Sequence, residues 1–185
     1  MTPITETLTL ESFLDLPETK PAYEFVQGKI IQKPMPQGEH SRLQAKLCSA
    51  INQVAEPEKI AYAFPELRCT FGEQSIIPDI AVFRWSRIPL TLSGRIENRF
   101  FIPPDWSIEV LSPDQSQIRV LGNLLHCSQQ GTELGWLLVP TEESALVVDA
   151  NQRVQMLTGR AILPVIEGLE LTLTVEEIYS WLTLI

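Results

Sequence analysis

Between His40 and Ala55 apolar side chains recur every three or four positions, at Leu43, Leu47, Ala50, Ile51 and Val54, with Arg42, Lys46 and Gln53 mostly off that stripe. That is the period of an amphipathic α-helix and the clearest helical signal in the chain. A second helix is marked by Ile118, Leu121, Leu124 and Leu125, with Gly131 placed to end it in a left-handed turn. Thr9 to Leu16 reads as a short helix capped by Thr9 or Ser12, and Thr174 caps a final helix carrying Ile178, Trp181 and Leu182. Strand signals lie between them. Tyr23–Val26 and Lys29–Ile31 flank Gln27-Gly28 as a β-hairpin with a two-residue turn, after which Pro34, Pro36 and Gly38 break the pattern. Glu66 to Phe71, Ser75 to Trp85, Trp106 to Leu111, Leu134 to Val139, Ala145 to Val148, Val154 to Leu157 and Glu170 to Leu173 read as strands, with Arg87 to Asn98 as loop. This order predicts an α+β (α/β) domain, a mixed β-sheet flanked by helices.

No linker, repeat or composition break divides the 185 residues, which are expected to form a single domain, 1–185. Hydrophobic residues at 44% and charged residues at 20% are ordinary globular values and exclude wholesale disorder. Fourteen Lys and Arg against twenty-three Asp and Glu give a formal charge of −9, with no basic block. A sequence-independent nucleic-acid binder carries a basic stripe, so any DNA contact is expected to use a local patch or a bridging cation. Cys48, Cys69 and Cys127 form no CxxC pair and are odd in number, which fits a reducing, cytoplasmic compartment. The acidic stretch from Met1 to Leu16, with Glu6, Glu11 and Asp15, lacks the basic start of a signal peptide, and no apolar run approaches the ~20 residues that span a bilayer.

Two charges are out of place. Asp79 is the only ionisable group in Ile76-Ile77-Pro78-Asp79-Ile80-Ala81-Val82-Phe83, and Glu109 is the only one in Ser107-Ile108-Glu109-Val110-Leu111. A carboxylate among apolar strand residues must be paired, hydrogen-bonded, metal-bound or protonated. If the two strands are neighbours, both acids converge on one point, and a divalent cation such as Mg²⁺ relieves their repulsion. The alternative is that Asp79 caps a bend made by Pro78 while Glu109 pairs with an arginine.

Tyr23-Glu24-Phe25-Val26-Gln27-Gly28-Lys29-Ile30, followed by Pro34-Met35-Pro36 and His40, resembles the opening of the Uma-two family of restriction-endonuclease-like proteins. Pro78-Asp79-Ile80-Ala81-Val82 is similar to that family's PD motif, and Ile108-Glu109-Val110-Leu111-Ser112-Pro113 to its "EVLSP" block. Gly131, Trp136-Leu137-Leu138-Val139 and Pro140 follow its next conserved segment. The resemblance runs from about residue 8 to the C-terminus. It implies the PD-(D/E)xK nuclease fold and hydrolysis of DNA phosphodiester bonds with Mg²⁺ or Mn²⁺. Asp79 and Glu109 would then be metal ligands, with Glu24 and His40 near the site.

One departure stands out. The family's lysine, absent from the strand position held here by Leu111, is expected on the following helix, where this chain has Asn123. Arg119 and Cys127 fall where the family has aspartate and tyrosine. A lysine there would place a cation beside the attacking water and the developing phosphorane charge. Asn123 can hydrogen-bond water but carries no charge. Arg119, Lys29 and Lys46 are candidate substitutes, or simply solvated surface charges. His126 is expected on a polar helix face, Cys127 as a small buried side chain, and Trp85, Trp106, Trp136 and Trp181 as core or interface residues. Three functions therefore stand open: a metal-dependent endonuclease, a catalytically inactive binding or assembly module on the same fold, and a structural protein whose acids are internal. A homodimer covered partly by Trp181, Leu182, Leu184 and Ile185 fits any of them.

Overall fold

The computed structural model describes residues 8–185; residues 1–7, with Glu6, lie outside the described residues. Thr9 caps α1 (Leu10–Leu14) through a reciprocal box with Ser12. The hairpin pairs β1 (Tyr23–Val26) with β2 (Lys29–Gln32), Phe25 opposite Ile30. Its turn puts Gln27 at φ 50° and Gly28 at φ 75°, the left-handed pair that a two-residue hairpin requires. These strands join β4 (Cys69–Phe71) and β5 (Gln74–Ile76) in a four-stranded sheet ordered β2-β1-β5-β4.

A six-stranded sheet carries β3 (Ala61–Pro65), β6 (Ile80–Arg84), β7 (Trp106–Val110), β8 (Leu134–Val139), β9 (Ser144–Asp149) and β10 (Val154–Thr158) in the order β10-β9-β8-β7-β6-β3. Only β7 and β8 run parallel, because the chain crosses between them through α3 (Gln117–Gln129). Helix α2 (Gly38–Ala55) covers one face and α3 the other; α4 (Val175–Ser180), capped by Thr174, closes the α2 side.

Strand alternation sorts the core. Ile80, Val82, Trp106, Ile108 and Val110 pack with Leu43, Leu47 and Ile51 of α2. Trp106 and Trp136 meet edge-on at 4.5 Å in the same layer. On the reverse face, Ala81 and Phe83 pack with Cys69, Phe71, Ile76 and Phe100 under the small sheet, and Leu137, Val139 and Val148 pack with α3. Asp79 and Glu109 share the parity of Ala81 and Ser107, so alternation aims both at this reverse face.

Several boundaries differ from the sequence reading. Ser75–Trp85 is two strands in different sheets, since Pro78 has no N–H to give a ladder and the chain leaves β5 before entering β6. Glu66 sits in a left-handed turn at φ 48° instead of opening a strand. The preceding strand β3 was not expected: its buried residues are Ala61 and Ala63, too small to stand out as an apolar face. Glu170–Leu173 forms no strand of either sheet; it sends Leu173 into the α2-side core, and the Leu173 carbonyl accepts the Leu163 N–H. No helix among the described residues is long and apolar enough to cross a membrane.

Leu47 is wholly buried between α2 and the large sheet, whereas Ile118 on α3 is 84% exposed. Leu47→Ala is expected to lower unfolding free energy by about 2–5 kcal/mol in a urea titration, against about 0.5 kcal/mol or less for Ile118→Ala.

Candidate active site

The register that sets Ile80 opposite Ile108 and Ala81 opposite Ser107 carries on to set Asp79 opposite Glu109. The acids are cross-strand neighbours on one face, buried to 3% exposure each. A lysine joins them. The Lys33 ammonium lies 2.8 Å from Asp79 Oδ1 and 3.4 Å from Glu109 Oε2, so a single cationic group touches both carboxylates. Asp79 Oδ2 also accepts the Val110 N–H at 2.8 Å, which fixes the Asp79 side chain to β7.

Pro78 explains the neighbouring contacts. The connector Ile77-Pro78-Asp79 has left one sheet and not yet entered the other, so its polar groups need partners from elsewhere. Glu24 Oε1 accepts the Ile77 N–H at 2.8 Å, and Lys33 Nζ donates to the Ile77 carbonyl at 2.6 Å. The Asp79 carbonyl accepts from Gln44 Nε2 at 2.7 Å and from the Glu66 N–H at 3.1 Å. The hairpin and α2 thus hold the connector from both sides.

His40 stands at the start of α2, buried, with Nδ1 3.2 Å from Ser112 Oγ. Its Nε2 comes within 3.3 Å of Asp79 Oδ1, yet off a hydrogen-bonding direction, which leaves that buried nitrogen without a hydrogen-bond partner. Asn123, also buried, faces Glu24, Lys33 and Glu109 across a narrow cleft that Arg119 and Gln115 complete. The structure therefore brings Glu24, His40, Asp79, Glu109 and Asn123 to one place. Lys29 and Lys46 are exposed and elsewhere. His126 is not on a polar face: it stacks on Phe71 at 5.3 Å, away from the acids. Burial pushes the Cys48 thiol up to about 11 and that of Cys127 up to about 12, leaving neither a ready nucleophile.

Lys33 was missing from the sequence reading, although hairpin arithmetic contains it. The turn at Gln27-Gly28 pairs Glu24 with Ile31, and the ladder continues through the Lys33 N–H to the Ala22 carbonyl at 2.9 Å. Lys33 is two residues beyond Ile31 and so shares the face of Glu24. Glu109 thus has a lysine partner in place of the arginine that the alternative reading required.

Three buried carboxylates surround one ammonium. Burial works against the charge on Lys33, but Glu109, Asp79 and Glu24 outweigh it and hold the ammonium protonated above the usual lysine range. Burial likewise opposes ionisation of Asp79, but Lys33 and His40 hold its carboxyl well below the usual carboxylate range. Glu109 and Glu24 are pushed up by burial, with Lys33 compensating only in part. The site offers hard oxygen donors, a set that suits a divalent cation held by two carboxylates and otherwise by water. Among the described residues no group of three or more His, Cys, Asp or Glu is arranged to hold a metal ion.

The comparisons give the family and the fold. The family model described as "Putative restriction endonuclease", Uma2, matches residues 10–176, and the chain belongs to that family. A solved structure described as "a putative nuclease belonging to DUF820 from Anabaena variabilis ATCC 29413" is 52% identical, covering 95% of this chain and 99% of that one with a TM-score of 0.93. The fold is that nuclease-like fold. No curated protein matches the chain.

Removing the ammonium alone would leave Asp79 and Glu109 buried face to face. Lys33→Met is expected to cost about 3–5 kcal/mol in urea unfolding without divalent ions, while Lys29→Met changes stability by about 0.5 kcal/mol or less. Equal effects of the two substitutions would contradict the assigned role of Lys33.

Proposed function

We propose that this chain is a divalent-metal-dependent endonuclease that hydrolyses DNA phosphodiester bonds, with Lys33 as its cationic side chain. The observation that carries the reading is the convergence of Asp79, Glu109 and Lys33 within hydrogen-bonding reach. Asp79 and Glu109 would hold Mg²⁺ or Mn²⁺, which supplies a Lewis acid for water activation and neutralises the charge on the leaving oxygen. The positive charge of Lys33 stabilises the negative charge that develops on a non-bridging phosphate oxygen. Its Nζ already donates to the Ile77 carbonyl, so the ammonium is aimed before substrate arrives. His40, fixed through Ser112, buttresses Asp79, and Glu24 holds the connector through the Ile77 N–H. Asn123 hydrogen-bonds water in the cleft; the positive charge expected on its helix comes instead from the hairpin.

On this reading residues 1–185 act as one domain, because the hairpin end supplies Lys33 to one acid of the large sheet and one of the connector. A homodimer through the C-terminal turn belongs to the same proposal, supported by the exposure of Leu184 and Ile185.

Purified protein given Mg²⁺ or Mn²⁺ is expected to cleave DNA, and Asp79→Ala to abolish the activity. Lys33→Ala should reduce the rate by about 10²–10³-fold, and Asn123→Lys should bring no gain. Cleavage that survives Asp79→Ala would overturn the reading. Wild-type inactivity relieved by Asn123→Lys would identify a nuclease-fold module that has lost catalysis.

A further inference from the structure

Two openings of different character meet at the acid pair. On one side lies a cavity of about 530 Å³ walled by Pro21, Ala22, Pro34, Met35, Pro36 and Ile77, with Lys33, His40 and Asp79 also in its lining. On the other side is the cleft of Glu24, Glu109 and Asn123, whose volume of about 10 Å³ holds roughly one water. Lys33 and Gln115 belong to both walls. At Lys33, apolar space gives way to charged space.

The cavity falls in the size range of pockets that enclose one small organic group, about 300–1,000 Å³. Proline rings and a methionine thioether offer flat, polarizable surfaces to a π-face. A ligand suited to this space has an aromatic body and one anionic end at Lys33. A base stacked within a duplex cannot enter such a cavity without leaving its stack. Electrostatics also disfavour long duplex contacts, since the chain carries −9 and the cavity wall sets Glu18 and Glu66 against the exposed Lys20. Arg68, the wall's guanidinium, is already committed to Glu18 at 2.8 Å and to the Tyr23 carbonyl at 3.0 Å.

Resting on the nuclease reading above, we propose that the substrate presents an unpaired nucleotide to this site. Its base enters the Pro21–Met35 cavity, the adjoining phosphate meets Lys33, and the attacking water stands in the cleft beside Glu109 and Asn123. Hydrolysis consumes that water. Its oxygen bonds to phosphorus as the bond from phosphorus to the leaving sugar oxygen breaks; one proton goes to the departing hydroxyl and the other stays with the phosphate monoester or solvent. Binding energy comes mainly from burying the base, so affinity depends only weakly on salt.

The test uses fluorescence anisotropy of a labelled single strand of about twelve nucleotides and of the same sequence as a blunt duplex, with Ca²⁺ in place of Mg²⁺. The single strand is expected to bind at least about tenfold more tightly, the equivalent of one buried base, with a salt slope of about one phosphate contact. Ala22→Trp, which fills the cavity, and Met35→Glu, at a position 62% exposed and tolerant of a charge, should each weaken single-strand binding about tenfold. Calorimetric titration with Mn²⁺ should give the same affinity in both variants as in wild type. Equal or tighter binding of the blunt duplex, or unchanged single-strand binding in both variants, overturns the proposal. The two readings fail distinguishably: blunt-duplex cleavage as fast as single-strand cleavage sinks this inference alone, whereas cavity-dependent single-strand binding without cleavage under any metal sinks the nuclease reading and its hydrolytic step and leaves only the base-binding cavity.

Discussion

The Lys33 ammonium between Asp79 and Glu109 is the contact on which the arrangement of this protein depends. Glu24, Asp79 and Glu109 are buried where the two sheets approach, and buried carboxylates repel unless a cation or protons intervene. The hairpin end brings Lys33, β7 of the large sheet brings Glu109 and the connector between the sheets brings Asp79, so the ion pairs tie the sheets together as well as making the site. A buried pair of this kind contributes little net stability against an apolar replacement, but its loss on one side alone is costly. Such a constraint fixes register, because a slip of one residue in the hairpin would turn Lys33 away from the acids.

Pro78 has the complementary part. By withholding an N–H it lets the chain leave one sheet before entering the other, and the exposed peptide groups are then met by Glu24, Lys33 and Gln44. The same residues that satisfy the connector line the site. Glu109 lies on β7, Asp79 immediately before β6, and His40 on the first turn of an eighteen-residue helix, so regular elements hold the candidate groups in place.

Much of this was legible in the sequence. The hairpin, the helix from His40 and the two solitary acids all announced themselves through period or through charge in an apolar run. The Ile76–Phe83 run concealed a change of sheet, since Pro78 is the only mark of it and apolar residues continue on both sides. Strand β3 was hidden because Ala61 and Ala63 face the core while the larger Tyr62 and Phe64 lie half-buried on the other side. Lys33 is hidden for a different reason: the family pattern points to the helix after Glu109, with Lys29 and Lys46 as substitutes, whereas the cation comes from the far end of the hairpin, 76 residues before Glu109. Only pairing the hairpin residue by residue places it with Glu24. His126 looked polar from its helix position, but Phe71 of the small sheet covers it.

A crystal of the protein soaked in Mn²⁺, with anomalous diffraction recorded at the manganese edge, addresses the acid–lysine unit most directly. The expected result is a peak within coordination distance of oxygens from both Asp79 and Glu109, with Lys33 remaining on the same face. Density that leaves the two carboxylates apart and Lys33 directed to solvent, or manganese bound only elsewhere, would contradict it.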